Sequence, residues 1–190
     1  MGKKPLLKKQ VKTLRNNVRG KPLQELLLNL GVDLYMFRSS DLLNLRVSDV
    51  ISKSGIIKTE VKVKQKKTGK TTLSIPLSKN SIDSIKRHLV DREQDDYIFK
   101  GNKSHYTLSP ITHRQYSRIV KGWMSSLGVE DVSEYSTHSL RKTKPSVIYQ
   151  ETQNVEVCRR LLSHVNCTST SNYLGIEDSD VLDVARNINI

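Results

Sequence analysis

Thr137-His138-Ser139-Leu140-Arg141, then Leu161-Leu162-Ser163-His164, then Thr170-Ser171-Asn172-Tyr173-Leu174 form the stretch on which the reading of this chain turns. His138 and Arg141 are three residues apart, so a helix beginning there projects both from one face of its first turn. Helix N-terminal amides, an imidazole and the planar fork of an arginine suit an anion with several oxygens. His164 follows two leucines that continue a helix, and Tyr173 comes nine residues later. Singly, each is an ordinary residue: an exposed His-x-x-Arg pair, a capping histidine, a buried tyrosine. In this order they read as a phosphate cradle beside a tyrosine nucleophile.

Working outward, the charge agrees with a phosphate partner. Lys and Arg number 32 against 19 Asp and Glu in 190 residues, a formal net charge of +13. Such a balance favours a polyanion, and neutralised nucleic-acid phosphates supply affinity without regard to sequence. The length fits one substantial domain. A membrane partner is not expected, since the chain has neither a long apolar stretch nor a signal peptide. Cys158 and Cys167 match no disulfide framework, which points to a reducing cytoplasm. Together with His164 they could meet a zinc ion only without the usual ligand spacing, so no metal or other cofactor is expected.

The organisation reads as mixed α+β, mainly helical, with a small antiparallel sheet. Residues 1–20 are basic and weakly periodic and are expected as an arm, with one domain over 21–190. Pro22 opens a helix whose Leu23, Leu26, Leu27, Leu30, Leu34 and Phe37 recur on one face. Ser40-Asp41 starts another apolar pattern, leaving Arg38 at a helix junction. Alternation over Ile57 to Lys64 and over Thr72 to Leu77 predicts two strands, joined by a turn at Lys67-Thr68-Gly69-Lys70. Ser78 to Val90 reads as a helix and Tyr97-Ile98-Phe99 as a buried piece. Ser109-Pro110 is expected to open a long helix that stops at Gly128. Helices are then predicted over about 139–150, 154–163, 168–174 and 178–188.

These motifs resemble the catalytic domain of the tyrosine recombinases, the phage-integrase family. The first signature stands as Arg38-Ser39-Ser40-Asp41-Leu42-Leu43-Asn44-Leu45, the hairpin lysine as Lys67-Thr68-Gly69, and the H-x-L-R box as His138-Ser139-Leu140-Arg141. The last is Leu161-Leu162-Ser163-His164 with Tyr173, and the resemblance runs from about Leu23 to the C-terminus. It implies that the fold is that catalytic domain. It implies also that Tyr173 attacks a DNA backbone phosphate to form a 3′-phosphotyrosine link. Arg38, Arg141 and His164 would stabilise the charge that develops, His138 would help deprotonate Tyr173, and Lys67 would protonate the leaving 5′-oxygen. Asp41 is the supporting carboxylate, with a plain helix-start aspartate as the other reading.

Lys66, Lys70, Lys142 and Lys144 are expected to bind DNA. No separate N-terminal clamp domain is expected, and the partners implied are double-stranded DNA, further copies in a tetramer and a DNA-bending accessory protein. A bacterial or phage-encoded cytoplasmic protein is expected. The segment after the nucleophile carries an apolar stripe, Val181, Val184, Ala185 and Ile188, that could dock on a neighbouring subunit. Met36-Phe37 and Ser163 depart from the usual Gly-Leu and Gly at those places. Pro145, inside the helix after His-x-x-Arg, lacks an amide and crowds the carbonyl of Arg141, which predicts a displaced arginine or a kink. Two alternatives keep the fold: a DNA-binding regulator with impaired catalysis, or a type IB topoisomerase-like enzyme.

Overall fold

Helix α2 (Pro22–Asp33) runs through the centre of the domain in the computed structural model, which describes residues 3–62, 69, 71, 73–101, 109–162 and 166–175. It packs against α5 (Lys79–His88) and α7 (Thr137–Thr152) and is buried almost all round, including Leu28, outside the stripe the spacing had marked. Its polar residues are buried too. Glu25, Asn29 and Asp33 recur every fourth residue and so share one face. That face meets a row of polar groups on α5. Asn29 Nδ2 donates to Ser84 Oγ at 2.7 Å, Ser81 Oγ to Asp33 at 2.6 Å, and Glu25 pairs with Arg87 and His88. Buried polar groups survive because each is matched in this way.

The first twenty residues are not a loose arm. Helix α1 (Lys8–Asn17) places Val11 and Leu14 in the core, joined by Leu6 before it and Val18 after it. The basic positions obscured this pattern: Lys8, Lys9 and Lys12 occupy the exposed face of an amphipathic helix. Arg15 Nε donates to Asn29 at 2.9 Å, which ties α1 to the polar face of α2.

Arg38 precedes the short α3 (Ser39–Leu43), and α4 (Val47–Val50) follows. The described part of the predicted hairpin is an antiparallel pair, β1 (Glu60–Val61) and β2 (Ile75–Pro76), in the register Glu60 with Pro76 and Val61 with Ile75. Among the described residues both strands are shorter than the alternation predicts. Ile57 bridges Ile51 instead of extending β1. Lys66, Lys67 and Lys70, in and beside the turn, lie outside the described residues.

Ser78 caps α5 as expected. The start of α6 (His113–Ser126) is three residues later than Ser109-Pro110 predicts. Pro110 bridges Lys100, and the Ile111 amide donates to the Phe99 carbonyl at 2.9 Å, so this segment is extended. The true start is a capping box, in which Thr112 Oγ1 accepts the Gln115 amide and the Gln115 side chain accepts the Thr112 amide. Gly128, at φ +70°, closes the helix where the sequence places its stop. A 3-10 turn (Val132–Glu134) leads into α7, which runs through Pro145 unbroken. Helices α8 (Val155–Leu162) and α9 (Cys167–Leu174) complete the described chain, and both pack on α7. The predicted helix 178–188 and its apolar stripe lie outside the described residues.

Candidate active site

Ser136 determines where α7 begins. Its hydroxyl accepts the His138 amide at 3.2 Å, and its own amide donates to Ser139 Oγ at 3.0 Å. His138 and Arg141 consequently occupy the first turns of a capped helix and line one small cleft with Phe37, Ser39, Thr137 and Tyr116. Gly31 forms part of its wall. A Cβ there would stand 2.7 Å from Tyr116 Oη and 3.1 Å from Leu140, so this leucine-rich helix needs a glycine at its crossing with α6 and α7. Arg38 enters from the junction before α3. Its amide donates to the buried Asp41 carboxylate at 3.2 Å, the contact expected of a helix-start aspartate.

Tyr173 lies on the last turn of α9, which Asn166 caps by accepting the Ser169 amide and Gly175 ends at φ +76°. Its hydroxyl oxygen is buried. The Arg141 guanidinium carbon stands 5.4 Å from the centre of its ring, and Lys142 Nζ stands 4.8 Å from the same point. Burial pushes the Tyr173 phenol above its ordinary pKa, against the opposing charge and hydrogen bond of Arg141. Arg141 itself keeps a buried Nε that has no hydrogen-bond partner among the described residues. A buried guanidinium donor left in this state is a natural seat for an oxyanion.

His138 is pulled the other way. Partial burial first, then the charges of Arg141, His113, Lys142 and Arg38, hold its pKa below the usual histidine range. Its ring is therefore neutral near pH 7 and able to accept a proton. The structure thus gathers Arg38, His138, Arg141 and Tyr173 in one region. Lys67 and His164 lie outside the described residues. Pro145 does not remove Arg141 from the cleft, and α7 continues through the proline as one helix.

The two lysines of α7 expected to bind DNA point inward instead. Lys142 is 9% exposed and covers the Tyr173 ring, while Lys144 pairs with the buried Asp33 at 3.0 Å. The turn of α7 carries Lys142 against α9 and Lys144, which stays partly exposed, to the polar face of α2. His113 was missed altogether. It sits in the first turn of α6, 3.4 Å from Thr137 Oγ1, and would have been found from the Thr112-x-x-Gln115 cap that places it at a helix start. Of the two cysteines, Cys158 is buried against the Pro145 carbonyl and Cys167 is exposed beside Glu156. Among the described residues no cluster of three or more His, Cys, Asp or Glu could hold a metal ion, and no helix is long and apolar enough to cross a membrane.

A tyrosine beside an arginine that shares its helix with a histidine, in a mostly helical domain, is the arrangement to set beside known proteins. The chain belongs to the phage integrase family, whose model matches residues 4–179 and so begins within the segment expected as an arm. It is 31% identical over 141 residues to the probable integrase/recombinase YoeC of Bacillus subtilis, covering 74% of this chain and 71% of that one. The tyrosine recombinase XerC of Thermodesulfovibrio yellowstonii is 25% identical over 176 residues, 87% of this chain and 53% of that protein. The chain thus spans about half the length of that relative.

Among solved structures, the XerA recombinase superposes with a TM-score of 0.76 at 16% identity over 100% of this chain and 67% of that one. The XerH site-specific recombinase bound to its palindromic difH substrate, a post-cleavage complex, gives 0.72 at 17% identity over 98% and 54%. The fold is that of a tyrosine-recombinase catalytic domain, as the sequence motifs imply.

Proposed function

We propose that this chain is the strand-cleaving and rejoining unit of a site-specific DNA recombinase or integrase, acting through a 3′-phosphotyrosine intermediate. The observation that carries the reading is the pairing of a buried Tyr173 hydroxyl with Arg141, whose buried Nε has no partner among the described residues, on the helix that also presents His138. Tyr173 Oη attacks the phosphorus, the bond to the 5′-oxygen breaks, and the phenol proton passes to His138. A proton from Lys67 goes to the departing 5′-oxygen. The reverse sequence reseals the strand, and the covalent phosphodiester holds the energy needed for it. Arg38, Arg141 and His164 bind the non-bridging oxygens as charge builds, ordinarily the largest contribution to such catalysis.

A phenol that titrates near 10 in water, and higher when buried, needs a base. The depressed pKa of His138 supplies one that is unprotonated at neutral pH. Asp41, by fixing the Arg38 backbone, supports the first arginine's entry to the site. Double-stranded DNA is the substrate, with Lys66 and Lys70 on its backbone. Further copies of the chain in a tetramer, an accessory DNA-bending protein and a cytoplasmic, DNA-associated location complete the proposal. The net charge of +13 supports the DNA partner.

The test is incubation with nicked suicide duplexes drawn from the neighbouring genomic DNA. The proposal predicts a covalent protein–DNA adduct and joined products between two duplexes. DNA binding with no adduct would mark the chain as a regulator, and relaxation of supercoils without joining would mark it as topoisomerase-like.

A further inference from the structure

One cation in the site has no part in the chemistry above. Lys142 follows Arg141 directly, yet both reach the same tyrosine ring, Arg141 at 5.4 Å and Lys142 Nζ at 4.8 Å from its centre. Buried lysines ordinarily have a charge partner. Lys142 is 9% exposed, and among the described residues it takes part in no ion pair, burial alone acting on its charge. Burial lowers its pKa, so the environment penalises the ammonium form. The feature that compensates is the π face of Tyr173, the attraction that aromatic rings offer to a cation within about 6 Å.

We propose that Lys142 is a positioning residue for the nucleophile: its ammonium on the ring face holds Tyr173 docked in its own chain's site beside Arg141 and favours the phenolate as the proton leaves. This rests on the reading of Tyr173 as the nucleophile. A phenolate ring carries more electron density than a phenol, so the same contact strengthens along the reaction, where added attraction accelerates it. Arg141 and Lys142 divide the work, the arginine at the oxygens and the lysine at the ring. The charged groups that face Tyr173 from α7 are these two. Helix α8, also packed on α9, sends Glu156 toward Cys167 at the far end of that helix, with Arg159 and Arg160 paired to Glu156.

The experiment places a difluorotyrosine, which titrates in the neutral range, at position 173 and follows it by fluorine NMR without DNA. Lys142→Met raises the midpoint by about one pH unit, and Lys142→Arg leaves it close to that of the parent. With the natural tyrosine and saturating suicide DNA, Lys142→Met slows adduct formation about tenfold at pH 7 and recovers at higher pH, while DNA affinity is retained. Lys142→Gln serves where the Met variant does not fold. An unmoved midpoint in a folded variant overturns the proposal. So does weakened DNA affinity with an unchanged rate at saturation, which would make Lys142 a phosphate contact. If the wild-type chain forms no adduct, the recombinase reading falls, and the fluorine titration still decides the role of Lys142.

Discussion

Replacing Asp33 by alanine tests whether the buried polar face of α2 holds the catalytic helix in place. The Asp33 side chain is 3% exposed, and its Oδ2 accepts the Ser78 amide at 2.7 Å and the Ser81 hydroxyl at 2.6 Å. Its Oδ1 receives Lys144 Nζ at 3.0 Å, three residues beyond Arg141 on α7. Removing one partner of a buried pair costs about 3–5 kcal/mol. Lys144 is 28% exposed and can turn to water, which puts the expected loss near the lower end, about 3 kcal/mol. With a urea slope of about 2 kcal/mol per molar, the unfolding midpoint falls by about 1.5 M.

Asp33→Asn keeps an acceptor for both serines but turns an amide donor toward Lys144, losing the charge and that contact, so it costs about 2 kcal/mol. Burial alone would raise the Asp33 pKa, but the serine hydrogen bonds and the Lys144 charge outweigh it and hold the folded value below the ordinary one. The charge therefore stabilises the fold above the unfolded pKa of about 3.9, and this is lost as the pH falls through the folded value. The gap between wild type and Asp33→Asn should hold at pH 7 and narrow below about pH 4. An Asp33→Ala loss under about 1 kcal/mol at pH 7, from urea melts with unchanged slope, would refute the reasoning.

Gly31→Ala gains helix propensity of about 1 kcal/mol but drives a methyl to 2.7 Å from Tyr116 Oη, a net loss of about 1–2 kcal/mol that Tyr116→Phe in the same chain should partly relieve, measured by thermal melts. Leu14→Ala, in the segment that reads as an arm, should cost about 2–5 kcal/mol in urea unfolding because Leu14 is fully buried, whereas a true arm residue would cost nothing measurable. Cleavage at subsaturating DNA should persist as the pH drops through 6.5 and fall only below it, since His138 must be unprotonated and its pKa is depressed. His113→Ala, which removes one of the charges on His138, should move that acid limb upward.

The pairing of His138 with Arg141 was legible in the sequence because it is written in a short local motif. His-x-x-Arg at a helix start needs only the 3.6-residue period to bring its two side chains together, and the structure leaves both in the cleft. What the sequence hid depends on neighbours distant along the chain. Lys142 and Lys144 look solvated in any window, and only the packing of α9 and α2 against α7 reveals their inward direction. Glu25, Asn29 and Asp33 read as the outer face of a helix until α5 supplies Ser81, Ser84, Arg87 and His88. The basic residues of α1 masked Val11 and Leu14 in the same way. Pro145 carries a local penalty, yet α7, packed against α2 and α8, continues through it as one helix.

The account stands on Tyr173 as the atom that joins protein to DNA. The most direct measurement is peptide mapping by mass spectrometry of the adduct trapped on a suicide duplex. The account predicts a nucleotide phosphate on Tyr173 alone, attached through its 3′-oxygen, and no adduct from Tyr173→Phe. A phosphorylated residue elsewhere, or an adduct that survives Tyr173→Phe, would contradict it.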